Sequence, residues 1–192
     1  MYTINVTVQG TAPLMQHRYP MPNLADLAKG GHRQSGSVDY TQEWREYFYS
    51  LPSGEVCQPS SHVEGALIKA AAQFKIQGKR GKTYKDLFQA AVFVSPDMIP
   101  LGVKVPDTLD ADADKPLYLD MRPVVINRAR VVRIRPTFKA GWQLSFEITV
   151  IDDQIAPEMV HDILSLAGKT IGVGDFRPRF GRFMVTGFEV HR

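Results

Sequence analysis

The chain has 192 residues, of which 44% are hydrophobic and 22% charged, so it is long enough to bury a core as one domain spanning residues 1–192. The single cysteine, Cys57, excludes a disulfide scaffold and a cysteine metal cluster and favours a reducing cytoplasm, and neither a signal peptide nor a membrane-spanning apolar run is recognisable. The formal net charge is only +3, but basic residues cluster at 75–85, 122–135 and 177–182, which predicts an anionic partner on particular faces.

The first predicted element is a half-buried strand at the N-terminus. Tyr2, Ile4, Val6 and Val8 alternate with polar residues, and a period of two is typical of a strand with one buried face. Residues 10–59 are interrupted by prolines and glycines and are predicted to form a long excursion, with a short helix only around residues 41–49.

A helix is predicted to begin at Ser61. Ser61 and Glu64 fit the capping box S-x-x-E, in which each side chain pairs with the other residue's backbone N–H. The predicted inner face consists of Val63, Leu67, Ala70, Ala71 and Phe74, and Gly78 is expected to end the helix. A basic turn and a short apolar segment near residues 87–94 follow, and residues 95–123 are predicted to form a second excursion, with a brief extended piece around 99–105.

The second half of the chain predicts a hairpin, a helix and a strand. Residues 124–134 and 142–150 have strand composition and are joined by residues 136–141 as a hairpin loop. The helix is predicted to start with Pro157 in its first turn and to end at Gly168, and the last strand covers residues 182–190. Without the two excursions the order is βαββαβ, the α+β ferredoxin-like (RRM-like) arrangement of an antiparallel sheet with two helices on one face.

The stretch from residue 167 to residue 190 is the strongest candidate for a binding surface. It contains the glycines Gly168, Gly172, Gly174 and Gly181 among the arginines Arg177, Arg179 and Arg182. Glycines let the backbone approach a ligand closely, and arginines donate planar forks of hydrogen bonds to phosphate. On this hypothesis Gly174→Val abolishes binding and leaves the fold intact. The simpler interpretation is a glycine-rich connection with solvated arginines.

Three separated segments together resemble the RAMP superfamily of CRISPR-associated proteins. Residues 10–14 (GTAPL) match the place where those proteins leave their first strand, residues 58–69 (QPSSHVEGALIK) are similar to a helix start in the backbone subunits, and residues 172–182 (GVGDFRPRFGR) are similar to the C-terminal glycine-rich loop. The resemblance implies a ferredoxin-like fold and an RNA-binding backbone subunit of a CRISPR effector complex. It also implies that copies multimerise along a guide RNA, alone or paired with target nucleic acid, into an open helical array with other effector-complex subunits. The chain is shorter than most such subunits, and neither Asp26 nor Asp39 has the pattern that surrounds the target-cleaving aspartate of some of them.

Candidate phosphate contacts come from the helix start, the glycine-rich loop and the basic clusters, because a nucleic-acid backbone is held mainly by cations, hydroxyls and backbone N–H groups. The predicted RNA-binding residues are Arg18, Ser60, Ser61, Lys69, Lys79, Arg80, Lys82, Arg128, Arg130, Arg133, Gly172, Gly174, Arg177, Arg179 and Arg182. In one unbroken strand, Arg128 and Arg130 would face away from Arg133 and Arg135, so either a bulge unites the two pairs or only one pair contacts ligand. No cofactor is expected, and no metal site is predicted because His62 has no further ligands at zinc-like spacing.

Two other classes of function remain open. As an enzyme the chain would be a metal-independent endoribonuclease with His17 or His32 as general base, although no second acid or base can be identified beside either, so no catalytic residue is assigned. As a binding module of a phage or recombination system it would hold single-stranded DNA instead. Competition between RNA and DNA oligomers distinguishes that alternative, since only RNA offers a 2′-hydroxyl.

The first excursion is predicted to serve either in assembly or in the monomer's own core. It is polar and broken by prolines, yet it carries the apolar side chains of Leu14, Met15, Tyr19, Met21, Leu24, Leu27, Trp44, Tyr47 and Phe48. Large apolar side chains of this kind are favoured anchors at interfaces, and the alternative is that they fold back over the sheet.

Overall fold

The computed structural model describes residues 1–19, 43–126 and 128–192, and within them the chain is an α+β protein with antiparallel sheets. The strands are β1 (Tyr2–Gly10), β2 (Leu14–Met15), β3 (Glu55–Pro59), β4 (Val92–Ser95), β5 (Met98–Lys104), β6 (Leu117–Ile126), β7 (Ala129–Phe138), β8 (Gln143–Val150) and β9 (Phe183–His191). The helices are α1 (Ser60–Ala71), α2 (Lys85–Ala91) and α3 (Pro157–Thr170), and a 3-10 helix covers Glu43–Tyr47. None of the helices in these parts of the chain is long and apolar enough to cross a membrane.

The largest sheet has the order β4–β8–β1–β9, with every neighbouring pair antiparallel. Direct partners such as Ile4 with Ile148 and Val6 with Phe146 place the apolar residues of β1 and β8 on one face, where they are buried. The predicted alternation in β1 is therefore confirmed, and β8 alternates in the same way. Helices α1 and α3 cover this face and bury eight residues in the same core: Val63, Leu67, Ala70, Ala71, Val160, Ile163, Leu164 and Ala167. The first four were predicted for the inner face of α1, whereas the fifth predicted residue, Phe74, lies beyond the end of the helix and is partly buried.

A second sheet, β2–β7–β6, contradicts the predicted hairpin between residues 124–134 and 142–150. Residues 124–134 span parts of two strands that pair with each other, with Arg122 opposite Arg133, whereas β8 pairs with β1 and β4. The turn between β6 and β7 includes Arg128 at a φ of 68°, so neither glycine nor proline marks it. Pro136, which suggested a loop, lies inside β7, where its carbonyl accepts a hydrogen bond from Gln16 N at 3.0 Å.

The predicted capping box at the start of α1 is wrong. The helix begins at Ser60, its N-cap position is Pro59, and no side chain caps it. Glu64 instead accepts a hydrogen bond from the backbone N–H of Val94 at 2.9 Å, which ties α1 to β4. The helix ends at Ala71, seven residues before Gly78, and α3 runs two residues past Gly168.

The described parts of the first excursion contribute large side chains to the core of the monomer. Leu14, Met15, Trp44, Tyr47 and Phe48 are all buried, which excludes their use as assembly anchors. Tyr19 is exposed, whereas Met21, Leu24, Leu27, His32, Asp26 and Asp39 lie outside the described residues. The excursion also supplies β2 and β3, and the second excursion supplies β5 and the start of β6.

Candidate nucleic-acid interface

The loop between α3 and β9, residues 171–182, is held by backbone hydrogen bonds to the segment in which the chain leaves β1. Gly181 N donates to Pro13 O at 2.7 Å, and Asp175 N donates to Met15 O at 2.8 Å. Within the loop, Val173 N donates to Gly181 O at 2.9 Å. We call residues 171–182 the glycine loop, and none of these three bonds involves a side chain.

The glycines of this loop allow close approaches to the chain's own backbone. Gly172, Gly174 and Gly181 are buried and have φ values of 76°, 79° and 74°, a region that favours glycine. A Cβ at Gly174 would lie 2.5 Å from Met15 O, and one at Gly181 would lie 1.7 Å from Val173 O. The expectation that Gly174→Val leaves the fold intact is therefore wrong, because the space is filled by Met15 and Leu14 rather than left open to a ligand.

A buried pair of glutamines joins this region to the start of α1. Gln16 and Gln58 are fully buried, and Gln16 Nε2 donates to Cys57 O at 2.7 Å and to Gln58 Oε1 at 3.2 Å. Gln58 Nε2 and His62 Nδ1 are 2.6 Å apart. The three segments that resemble RAMP proteins are thus adjacent in space, although more than 100 residues separate the second from the third.

A cleft of about 420 Å³ opens between the glycine loop, α1 and the end of α3. It is lined by Lys69, Thr170, Ile171, Gly174, Asp175, Phe176, Arg177 and Pro178. Lys69 and Arg177 are exposed, so two cations from distant parts of the sequence meet at this cleft. The arrangement suits an anionic ligand with phosphate or carboxylate groups.

The acidic residue of the cleft, Asp175, is paired with a buried arginine. Arg135 Nε lies 2.8 Å from Asp175 Oδ2, and the Arg135 side chain is only 8% exposed. His17 Nδ1 lies 3.7 Å from the same carboxylate oxygen. Because Arg135 compensates the charge of Asp175, the carboxylate opposes an anion in the cleft less than a free aspartate would.

Two histidines lie within electrostatic reach of Asp175, and both are favoured in the neutral form. Burial and the positive charge of Arg135 lower the pKa of His17, against the opposing effect of Asp175. Burial and Arg177 lower the pKa of His62 in the same way. A neutral imidazole can accept a proton, so both side chains keep the chemistry of a general base near neutral pH.

The hairpin of β6 and β7 contacts the glycine loop through Arg122. Both ends of its guanidinium pair with the carboxylate of Asp120, and its central carbon lies 4.8 Å from the ring centroid of Phe180 and 5.3 Å from that of Phe176. Phe180 is buried, whereas Phe176 is 42% exposed and has a φ of 56°.

The structure brings together only part of the predicted RNA-binding set. Lys69, Arg177 and Gly174 line the cleft, and the exposed Arg179 and Arg182 belong to the same loop. Arg133 lies near the site, since it lowers the pKa of His17 and hydrogen-bonds Tyr47. Arg18 is also close, because it lowers the pKa of Tyr49, which Asp175 raises. Ser61 is exposed in the first turn of α1, whereas Ser60 is buried and Gly172 packs against Gly181.

The remaining predicted residues lie elsewhere. Lys79, Arg80 and Lys82 occupy an exposed loop between α1 and α2 that does not line the cleft. Arg128 lies in the hairpin turn, and Arg130 lies opposite Val125, on the other face of the hairpin from Arg133 and Arg135. No bulge interrupts the pairing of β6 with β7, so the two pairs of arginines are not united.

Several residues that organise the site are absent from the predicted RNA-binding set. They are Gln16, Gln58, Asp120, Arg122, Arg135, Asp175 and Phe176. Asp120 pairs with Arg122 two residues away on the same strand, and each of the others acts through a partner on a different element. One signal that could have indicated them is Asp175 itself, since a lone carboxylate in a loop with three arginines indicates an internal ion pair.

In the described parts of the chain, no group of three or more histidine, cysteine, aspartate or glutamate side chains is arranged to hold a metal ion. No protein-family model matches the chain, and no curated protein matches it.

Proposed function

We propose that the chain is an RNA-binding protein that holds a nucleic-acid strand by its phosphates along the glycine loop and α1. The observation that carries the proposal is that two of the RAMP-like segments, 58–69 and 172–182, contribute Lys69 and Arg177 to one cleft, while the third, 10–14, holds the glycine loop by main-chain hydrogen bonds. If the three resemblances were coincidental, the segments would not be expected to lie next to one another in the fold. A shared site supports the interpretation that they are parts of one motif.

The order of the main sheet supports the finer topology on which this proposal rests. Taken in chain order, β1, α1, β4, β8, α3 and β9 form βαββαβ, and the sheet order β4–β8–β1–β9 is that of a ferredoxin-like sheet. We propose that β2, β3, the β6–β7 hairpin and α2 are additions to this framework. The fold alone does not decide function, so the location of the binding surface is inferred from the charges on the outer face of the sheet and at the cleft.

The face of the main sheet that points away from the core is less suited to bind phosphates than the cleft is. On the face away from the core, β1 presents Thr3, Asn5, Thr7 and Gln9. Asn5 lies between Glu147 of β8 and Glu189 of β9, and none of the residues that the described strands β1, β4, β8 and β9 present there is lysine or arginine. Such a face does not attract phosphates, whereas the cleft is lined by Lys69 and Arg177.

The proposed role is that of a RAMP-like backbone subunit in a CRISPR-type ribonucleoprotein. Copies would line up along a guide RNA in an open helical array, with other effector subunits as partners. The test of the underlying activity is the affinity for RNA oligomers of unrelated sequence, measured at several salt concentrations. The matching DNA oligomers serve as competitors.

Paired charge reversals make this test specific to the cleft. Arg177→Glu with Arg179→Glu is expected to weaken binding of all sequences alike and to reduce the salt slope by roughly one unit for each phosphate that the variant no longer neutralises. Lys79→Glu with Arg80→Glu changes the net charge equally in a loop that does not line the cleft. If the two double variants weaken binding equally, the protein attracts RNA only through its overall charge, which would contradict the proposed site.

A second candidate function, metal-independent RNA cleavage, is favoured by the environment of His17. Its Nδ1 lies 3.7 Å from the carboxylate oxygen Oδ2 of Asp175, which can orient the ring, and burial lowers the pKa of His17, as suits a general base. On this candidate, His17→Ala stops cleavage of a labelled RNA but leaves its binding in place. Cleavage that persists in His17→Ala would eliminate His17 as the base and leave His62, or the other predicted base, His32, which lies outside the described residues.

A further inference from the structure

Two phenylalanine rings in the glycine loop share one arginine but differ in exposure. The Arg122 guanidinium lies over both rings, with its central carbon 4.8 Å from the Phe180 centroid and 5.3 Å from the Phe176 centroid. The rings contact each other edge to face, with centroids 5.8 Å apart. Phe180 is 5% exposed and anchors the loop, whereas Phe176 is 42% exposed and leaves much of its ring in contact with water.

The position of Phe176 is fixed from several sides. Its backbone has a φ of 56°, uncommon for a bulky residue, and the hydrogen bonds of the neighbouring Asp175 and of Phe180 hold the loop on either side. Arg122 is itself held by both oxygens of Asp120. An exposed aromatic ring that is held in this way is prepared for binding without losing much conformational freedom.

The surroundings of the ring point to a nucleobase as its binding partner. Phe176 lines the cleft between Asp175 and Arg177, and Lys69 lies in the same lining. A single ring flanked by charges is a poor binding site for an apolar protein segment, because such a segment needs a continuous apolar patch. Bases stack on isolated aromatic rings while cations beside them hold the adjoining phosphates.

We infer that Phe176 is a stacking platform for one base of the bound strand, with Arg122 behind the ring and with Lys69 and Arg177 on the flanking phosphates. The inference rests on the proposed RNA binding and adds base stacking to it. Stacking is tolerant of sequence, so the platform would fix the position of the strand without selecting one base.

The test compares two 12-nucleotide ligands with equal phosphate charge, oligo(A) RNA and an abasic ribose-phosphate chain. Phe176→Leu is expected to weaken oligo(A) binding by about 5- to 150-fold, the range for removal of one stacked base, and to leave binding of the abasic chain unaffected. Phe176→Trp is expected to retain the wild-type affinity for oligo(A). Phe93→Leu removes a similarly exposed ring, 48% exposed, on β4 at the other side of the sheet and is expected to change neither affinity.

Two controls keep the outcome clear. The thermal unfolding midpoint of each variant is measured, and a 2-aminopurine in the RNA reports stacking on the wild-type protein directly by a decrease in its fluorescence. An equal effect of Phe176→Leu on both ligands, or no effect on either, would overturn the platform while leaving RNA binding in place. If wild-type protein binds neither ligand, the proposed function itself fails.

Discussion

At the scale of single residues, the glycine loop depends on glycines for two separable reasons. Gly174 and Gly78 have nearly the same φ, 79° and 77°, but a Cβ at Gly174 would meet Met15 and Leu14, whereas nothing lies within 4 Å of one at Gly78. We predict that Gly78→Ala costs about 1–2 kcal/mol for the left-handed backbone alone. Gly174→Ala should cost about 1–3 kcal/mol more, because it also forces apart packed groups.

The measurement is the free energy of unfolding from denaturant titration of the two glycine variants and the wild type. Nearly equal decreases would mean that the chain around Gly174 shifts at little cost, and the glycine loop would then be less firmly held than its hydrogen bonds indicate.

His17 should make the stability of the protein depend on pH in a defined direction. Its pKa is lowered from 6.5 by burial first and then by Arg135, so the unfolded chain binds this proton more readily than the folded one. The free energy of unfolding should therefore decrease as the pH falls below about 6.5, since stability rises with pH wherever the unfolded state holds more protons. We predict a shallower decrease in His17→Gln. His161→Gln, on α3, is the control, and an unchanged slope in His17→Gln would contradict the prediction.

At the scale of elements, α1 is attached to the sheet by Glu64 rather than capped by Ser61. Glu64→Ala should cost about 1–3 kcal/mol, because the Val94 N–H loses its acceptor, whereas Glu64→Gln keeps an acceptor and should cost less. Ser61→Ala should cost less than about 0.5 kcal/mol, below the cost of removing a capping serine. If Ser61→Ala lowers the free energy of unfolding more than Glu64→Ala does, Ser61 caps the helix after all.

Sequence patterns predicted the elements better than they predicted the pairing of strands. The alternation in β1 and the inner face of α1 depend only on neighbouring residues, so they could be recognised locally. The partner of a strand depends on interactions across the whole chain. Pro136 suggested a loop although it lies inside β7, and Arg128 gave no sign of the turn in which it lies. The β6–β7 hairpin could therefore not be recognised from the sequence.

The candidate site was predictable only in outline for the same reason. The arginines and glycines of the loop could be recognised in one short stretch, but Asp175 meets Arg135 from 40 residues away and His17 from farther still. An ion pair of this kind leaves no periodic signal in the sequence. Similarly, nothing in the sequence indicated that Phe176 is exposed while Phe180, four residues later, is buried.

At the scale of the whole molecule, the proposed array predicts how complexes grow. We expect complexes of this protein with RNA to gain mass in equal steps as the RNA is lengthened, as measured by light scattering, and we expect little association without RNA. Arg177→Glu with Arg179→Glu should prevent this growth at moderate salt, because each copy then neutralises fewer phosphates. A mass that stays constant with RNA length would exclude the array and leave a protein that binds as a single unit.

The docking of the glycine loop on residues 10–15 has a consequence for how such a protein can diversify. Main-chain hydrogen bonds, three glycines and the buried Phe180 hold the loop, whereas the side chains at 177 and 179 are exposed. Selection is then free to exchange these two side chains for others that suit a different ligand, while the glycines stay in place. The same separation makes residues 177 and 179 suitable positions for grafting a crosslinker or a fluorescent label onto the folded protein.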